Sequence, residues 1–113
     1  MSAGEVLRSL PMDPHRRAEC RSLAYHRAIA ARIEEEPALL ELARSRVRSW
    51  QHGGDVHPRY SGVWAHILAS PLEDIKAALI AETEAMVAAR QTTPFAGALS
   101  PRERWNIWRS IRP

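Results

Sequence analysis

The chain has 113 residues, of which 45% are apolar and 26% are charged, proportions typical of one soluble globular domain. It contains one cysteine, Cys20, so an internal disulfide is excluded, and it lacks a run of 18 apolar residues, so the sequence offers no membrane span. The net charge is +3. The first ten residues lack the basic start and long apolar run of a signal peptide, and we therefore expect a cytoplasmic protein.

The chain begins with a segment that predicts little regular structure and continues into a helix. Residues 1–12 contain scattered apolar residues and are predicted to form a flexible N-terminal arm. Asp13 and Pro14 are typical of a helix start, with Asp as the N-cap and Pro at the first helical position. We expect this first helix to reach about Glu35. His26 lies on its apolar face, which favours a hydrogen-bonded core histidine over a metal ligand.

Two further helices follow with short connections. Glu36-Pro37 predicts the start of the second helix and Gly53-Gly54 its end, because glycine favours the left-handed conformation that closes many helices. A third helix is predicted to begin near Pro58. Both segments carry apolar residues at helical spacing, namely Leu39, Leu40, Ala43, Val47 and Trp50 in the second and Tyr60, Val63, Trp64, Ile67 and Leu68 in the third.

A fourth helix completes the predicted body of the protein, residues 13–90. Ser70-Pro71-Leu72-Glu73 matches a capping box, and an apolar stripe continues to about Arg90. No segment alternates with the period of two that a strand requires. The sequence therefore predicts an all-α fold, with four to five helices in a compact bundle or orthogonal array.

Residues 91–113 predict a C-terminal hook followed by a short helix. Proline disfavours helical conformation in the residue before it, so Thr93-Pro94 predicts an extended chain or turn, and Gly97 allows a bend. Ser100-Pro101-Arg102-Glu103 is a second capping box and predicts the start of the last helix. From residue 90 onward the chain has five arginines and one acid, a formal charge of +4.

The largest apolar side chains of this segment suggest a role in binding. Phe95 and Leu99 are predicted to anchor the hook, and Trp105 and Trp108 to act as contact residues, since Trp and Arg are frequent interface hot spots. Arg104 and Arg109 are predicted to supply positive charge to the same partner-binding set. A second interpretation remains open, in which the segment folds back and closes the protein's own core. The two are compatible if the hook packs on the body and the helix faces a partner.

Residue patterns that would indicate an enzyme are absent from the sequence. The five histidines and Cys20 lack the spacing of a metal site, and Gly53-Gly54 lacks the frame of a phosphate-binding loop. Cys20 fits a small apolar helix residue better than a nucleophile. Glu82 and Glu84 lie two apart, on different faces of a helix. The sequence predicts a protein without catalytic activity, metal or cofactor.

A DNA-binding role has partial support. The third and fourth helices, joined tightly at Ser70-Pro71, could mimic a helix-turn-helix, but the second of them begins with Glu73 and Asp74. A helix that enters a groove between phosphates should be basic. The arginines of the first helix and of the C-terminal segment keep a weaker nucleic-acid interpretation open.

Three motifs carry a resemblance to a known family. They are Leu23-Ala24-Tyr25-His26-Arg27, Val56-His57-Pro58-Arg59-Tyr60, and the run Arg-Gln-x-Thr-Pro-Phe-Ala-Gly-x-Leu-Ser-Pro-Arg-Glu-Arg-Trp from residue 90 to 105. Over residues 15–109 the chain resembles small all-helical bacterial antitoxins paired with nucleotidyltransferase toxins of the MenA/MenT type. The resemblance implies a protein that neutralises a toxin encoded nearby, one that adds nucleotides to tRNA.

Two functional hypotheses follow. In the first, the chain is an antitoxin-like protein that neutralises its cognate toxin by direct protein–protein contact through residues 90–112. In the second, it is a DNA-binding transcriptional regulator that controls its own operon, for which strongly salt-dependent promoter binding is expected. The sequence leaves open whether the protein forms a homodimer.

Overall fold

Local capping signals account for most of the helix boundaries in the computed structural model, which describes residues 13–111. The predicted N-terminal arm and Arg112 lie outside the described residues. Six helices occur within the described range, and none of the residues 13–111 forms a strand. The helices are α1 (Pro14–Arg32), α2 (Ala38–Gly53), α3 (Pro58–Leu68), α4 (Leu72–Ile80), α5 (Glu84–Arg90) and α6 (Pro101–Ser110). The all-α prediction is therefore confirmed.

The first helix starts as its sequence predicts and ends slightly earlier. The Asp13 carboxylate accepts a hydrogen bond from the backbone N–H of Arg16 at 2.9 Å, with Pro14 in the first turn. The last residue of α1 is Arg32, three residues before the predicted end. A turn then forms in which the Glu36 N–H donates to the Arg32 carbonyl, and the Arg32 guanidinium also pairs with the Glu36 carboxylate at 3.0 Å. This ion pair explains why an acid is tolerated near a helix C-terminus.

The next two helices confirm their predicted limits to within a residue or two. Gly54 closes α2 with a φ of 71°, in the left-handed region that glycine adopts without steric cost. His57, in one of the three motifs, is the N-cap of α3, and its Nδ1 accepts from the Arg59 N–H at 3.1 Å.

The predicted fourth helix is wrong in two respects. It does not continue to Arg90, because the chain becomes extended at Ala81 and a separate α5 starts after Thr83. The buried Arg90 side chain reaches back and donates to the carbonyls of Leu79 (3.3 Å) and Ala81 (2.6 Å), which satisfies groups that the helix break frees. The capping box at Ser70 is also not formed, since the Ser70 hydroxyl bonds to the carbonyl of His66.

The break between α4 and α5 makes a prediction for two substitutions at Thr83. The Thr83 hydroxyl accepts from the Met86 N–H at 3.3 Å as the N-cap of α5. We expect Thr83→Ala to lower the free energy of unfolding by about 1 kcal/mol and Thr83→Gly by only a few tenths. A continuous helix would give the opposite order, because glycine in a helix interior costs about 1 kcal/mol relative to alanine. Urea unfolding of the two variants distinguishes the two structures.

The long helix α1 is the centre of the molecule. It packs against α4, α5 and α6, while α2 packs mainly against α3, and α3 in turn contacts α4 and α5. Residues of the body and of the C-terminal segment share one hydrophobic core, whose most buried large side chains are Trp64, Phe95, Ile29, Ile33, Ile75 and Leu79. None of the helices described here has the length and apolar character that crossing a bilayer requires.

Candidate functional site

Two of the predicted partner-binding residues lie in the protein's own core. The connection between α5 and α6, residues 91–100, is the hook of the prediction. Its Phe95 side chain is fully buried and contacts the Trp64 indole edge-on, with ring centroids 6.1 Å apart. Leu99 is 2% exposed. Both residues therefore anchor the hook, as the sequence predicts, but in this structure neither presents surface to a partner.

Polar side chains from the body fix the backbone of the hook. The Tyr25 hydroxyl donates to the Phe95 carbonyl at 2.6 Å, and Arg46 of α2 donates to the carbonyls of Pro94 and Ala96. Gly97 has a φ of 80°, so the bend predicted there uses the left-handed conformation. The hook is thus a built part of the fold.

His26 connects α1 to the hook through a chain of hydrogen bonds. Its Nδ1 lies 2.7 Å from the Ser22 carbonyl, which can only accept, so Nδ1 carries the proton. Nε2 then accepts from the Thr93 hydroxyl at 2.8 Å, and the Thr93 oxygen accepts from the Phe95 N–H at 3.1 Å. Burial lowers the pKa of His26 to about 4, opposed by the Ser22 hydrogen bond and supported by the charge of Arg90. The prediction of a hydrogen-bonded core histidine is confirmed.

The start of α6 is fixed by the predicted capping box and by an ion pair. Ser100 Oγ accepts from the Glu103 N–H, and Glu103 Oε1 accepts from the Ser100 N–H, each at 3.1 Å. The other Glu103 oxygen pairs with the Arg32 guanidinium of α1. The Ser100 hydrogen bonds, with the charge of Arg32, lower the pKa of Glu103. The only acid of α6 is therefore engaged at its first turn.

The rest of α6 exposes its tryptophans. Ile107 packs against the core, while Trp105 is 58% exposed and Trp108 38% exposed. Arg109 is exposed, and Arg104 is partly buried with its guanidinium carbon 5.8 Å from the centroid of the Trp108 ring. Of the six predicted partner-binding residues, four thus lie on α6, three of them exposed and Arg104 partly buried, whereas Phe95 and Leu99 lie in the core.

A groove of about 470 Å³ lies between α1, the hook and α6. Three arginines line it, Arg17 and Arg21 from α1 and Arg104 from α6, and no acidic residue is among the described residues of its lining. The guanidinium carbon of Arg21 lies 5.9 Å from the centroid of the Trp108 ring. The Trp108 indole therefore contacts guanidinium groups from two helices, α1 and α6. We call this feature the α1–α6 groove. Its lining is Pro14, Arg17, Ala18, Arg21, Ser22, Tyr25, Thr93, Ala96, Gly97, Arg104 and Trp108.

The sequence prediction missed the α1 side of this groove. Arg17 and Arg21 are four residues apart and so lie on the same helix face, and that spacing was the available signal. Nothing in the sequence indicated that the same face would meet α6, since the two arginines and Arg104 are more than 80 positions apart.

The pair α3 and α4, which the sequence compared with a helix-turn-helix, carries little positive charge at the start of its second helix. Glu73 and Asp74 occupy the first turn of α4. The Nζ atom of Lys76 lies 3.7 Å from a carboxylate oxygen of Glu34 and 3.8 Å from one of Glu73. Within residues 13–111, no three His, Cys, Asp or Glu side chains are grouped as metal ligands would be. The DNA-binding hypothesis gains no support from this pair.

Comparison with known proteins adds no relative to this description. No protein-family model, no curated protein and no solved structure matches the chain. Function is therefore inferred from the exposed face of α6 and from the sequence motifs.

Proposed function

We propose that the protein is an antitoxin-like binding protein that neutralises a cognate enzyme by docking the exposed face of α6 onto it. The observation that carries the proposal is the exposure of Trp105 and Trp108 on a helix whose position is fixed by other residues. Tryptophan is among the commonest interface hot spots and is costly to leave in water. The resemblance of the three sequence motifs to antitoxins of nucleotidyltransferase toxins supports the same class of partner.

The rigid attachment of α6 favours recognition by a preformed surface. The capping box, the Glu103–Arg32 ion pair and the packing of Ile107 hold the helix on the body. A helix that is already ordered loses less conformational entropy on binding than a disordered segment does. Docking of α6 therefore requires no folding step.

The charge of α6 indicates the chemistry of the partner. The helix contains three arginines and one acid, and that acid, Glu103, is engaged by Ser100 and Arg32. A basic helix complements an acidic surface. Nucleotidyltransferases hold their catalytic metal ions with carboxylates, so the cleft of such a toxin is an acidic surface of the required kind.

Substitution of the two tryptophans tests the proposal. The full chain and its variants are co-expressed with the product of the neighbouring gene, and affinity is then measured on the purified proteins. We expect Trp105→Ala and Trp108→Ala each to weaken binding by about 2 kcal/mol, roughly 30-fold, and to release the toxicity of the partner. Trp105→Ala is the primary test, because Trp108 also contacts Arg21 of the protein itself.

Matched controls separate the α6 face from general surface effects. Leu42→Ala removes an exposed apolar side chain of α2, and Arg48→Glu reverses an exposed charge there; both should leave the affinity within about twofold, whereas Arg109→Glu on α6 should weaken it. Equal affinity of native protein and Trp105→Ala would contradict the proposal. The proposal would also be contradicted if the protein formed a homodimer that Trp105→Ala abolishes. The exposed face of α6 would then be a contact between two copies of the chain.

A further inference from the structure

We propose that Arg21 of α1 is a positioning residue for partner docking, because its guanidinium group holds the Trp108 indole of α6 in the orientation that a partner meets. This role rests on the proposed function and extends it from α6 to α1. In it, Arg21 raises the affinity for the partner through Trp108, and not through a contact of its own.

Guanidinium groups from two helices reach the Trp108 ring. The guanidinium carbon of Arg104 lies 5.8 Å from the ring centroid and that of Arg21 lies 5.9 Å from it, both within the range of a cation–π contact. Arg104 and Trp108 are four residues apart on α6, so helix geometry alone brings them together. The contact with Arg21 requires that α6 packs against α1. Arg21 is therefore the group that fixes the indole relative to the body of the protein.

The burial of both arginine side chains is consistent with this placement. The Nε atoms of Arg21 and Arg104 are buried and, among the described residues, have no hydrogen-bond partner. A buried donor without a partner is rare in folded proteins and costs free energy. Cation–π contacts become stronger as the cation is desolvated, and guanidinium is the more weakly hydrated of the two basic side-chain groups. The contact with the indole is thus a physical reason for burying this part of the two side chains.

Trp108 remains accessible to a partner although it is held from below. Its side chain is exposed, but less so than that of Trp105 on the same helix. A side chain that is free to rotate loses conformational entropy when a partner covers it, whereas one that is already held loses less. Holding the indole therefore increases affinity without adding an interaction across the interface.

A double-mutant cycle distinguishes positioning from direct contact. The affinity of the full chain for the product of the neighbouring gene is measured for Arg21→Met, Trp108→Ala and the double variant. We expect Arg21→Met to weaken binding about fivefold when Trp108 is present, the effect of losing one partly exposed cation–π contact. Once Trp108 is replaced, the same substitution should change the affinity by less than about twofold.

A charge-matched control is available on the same helix. Arg27 is exposed and is not part of the lining of the α1–α6 groove. Arg27→Met removes the same charge as Arg21→Met and should change the affinity by less than about twofold, with or without Trp108. The comparison separates the contact with the indole from a general loss of attraction to an acidic partner.

The order of the Trp108 indole in the free protein is a second readout, and it requires no partner. Heteronuclear NOE values of the indole N–H groups report motion on the picosecond-to-nanosecond timescale, and Trp→Phe variants identify the signals. In the native protein we expect the value for Trp108 to be close to that of the buried Trp64, whose Nε1 donates to the Ala89 carbonyl at 3.0 Å. Arg21→Met should lower it toward that of the exposed Trp105 and leave Trp64 unchanged. Circular dichroism verifies the fold, and Arg21→Gln is the second variant if Arg21→Met does not fold.

Two results would overturn the proposal. The first is equal order of the Trp108 indole in the native protein and in Arg21→Met. The second is equal weakening of binding by Arg21→Met in the presence and in the absence of Trp108, since Arg21 would then contact the partner or act through its charge. Failure of the proposed function gives a different result: Trp105→Ala would leave the affinity unchanged while Arg21→Met still loosened Trp108, and the docking role of Arg21 would fall with it.

Discussion

Replacing Phe95 with alanine is expected to lower the free energy of unfolding by about 3–5 kcal/mol, the range found when a buried phenylalanine is truncated in a packed core. The ring is fully buried and packs edge-on against the rings of Trp64 and His26. The loss comprises both the burial of apolar surface and the cavity that remains. Urea denaturation followed by circular dichroism measures it.

The same segment offers a larger side chain as a control. Trp105→Ala removes an indole that is 58% exposed, and we expect it to change stability by no more than about 0.5 kcal/mol. If Phe95→Ala lowered the free energy of unfolding as little as Trp105→Ala does, the hook would not close the core.

The burial of Phe95 and Leu99 also affects how partner docking is tested, because a chain ending at Arg90 lacks part of its core. Point substitutions on α6 are therefore the sharper test of partner docking.

Acidification is expected to destabilise the protein through His26, by about 3 kcal/mol between pH 7 and pH 4. The folded state lowers the pKa of His26 from its usual 6.5 to about 4. The unfolded chain therefore binds a proton as the pH falls through 6.5, while the folded chain does so only near pH 4. Stability that is fully present above pH 6.5 is lost progressively between these two values.

A variant without the titrating group isolates this effect from that of the carboxylates. His26→Gln should lower stability at pH 7, because it disrupts the bonds to Ser22 and Thr93, but should show a smaller loss of stability between pH 7 and pH 4. The free energy of unfolding at several pH values, taken from urea titrations, provides the comparison. If the free energy of unfolding depended on pH in the same way for the native protein and for His26→Gln, His26 would be excluded as the cause of the acid destabilisation.

Contacts between α1 and the hook explain two of the three motifs that carry the family resemblance. Tyr25 and His26 of the first motif bond to Phe95 and Thr93 of the last, across about 70 positions of sequence. The motifs therefore describe how the hook is held on α1. The exposed Trp105 at the end of the last motif has no such structural role, which is why the proposed docking concentrates on it.

Helix type and most helix ends were determined by the sequence alone, because they depend on interactions within a few residues. Asp13 and Ser100 cap the helices that follow them, and Gly54 ends α2, all by bonds between residues at most four apart. Such local interactions depend on neighbouring residues and not on the path of the chain through the tertiary fold. The all-α fold and the bend at Gly97 follow from the same local rules.

Only the tertiary structure decided which side chains are buried and which arginines meet. Arg90 caps the end of α4 from α5, Phe95 and Ile107 reach the core while Trp105 and Trp108 do not, and Arg17, Arg21 and Arg104 line one groove. The choice between Ile107 and its neighbouring tryptophans depends on which side of α6 packs against the body of the protein. The bonds of Arg46 to the hook and the Arg32–Glu103 ion pair hold this segment in place, and both join residues far apart in sequence.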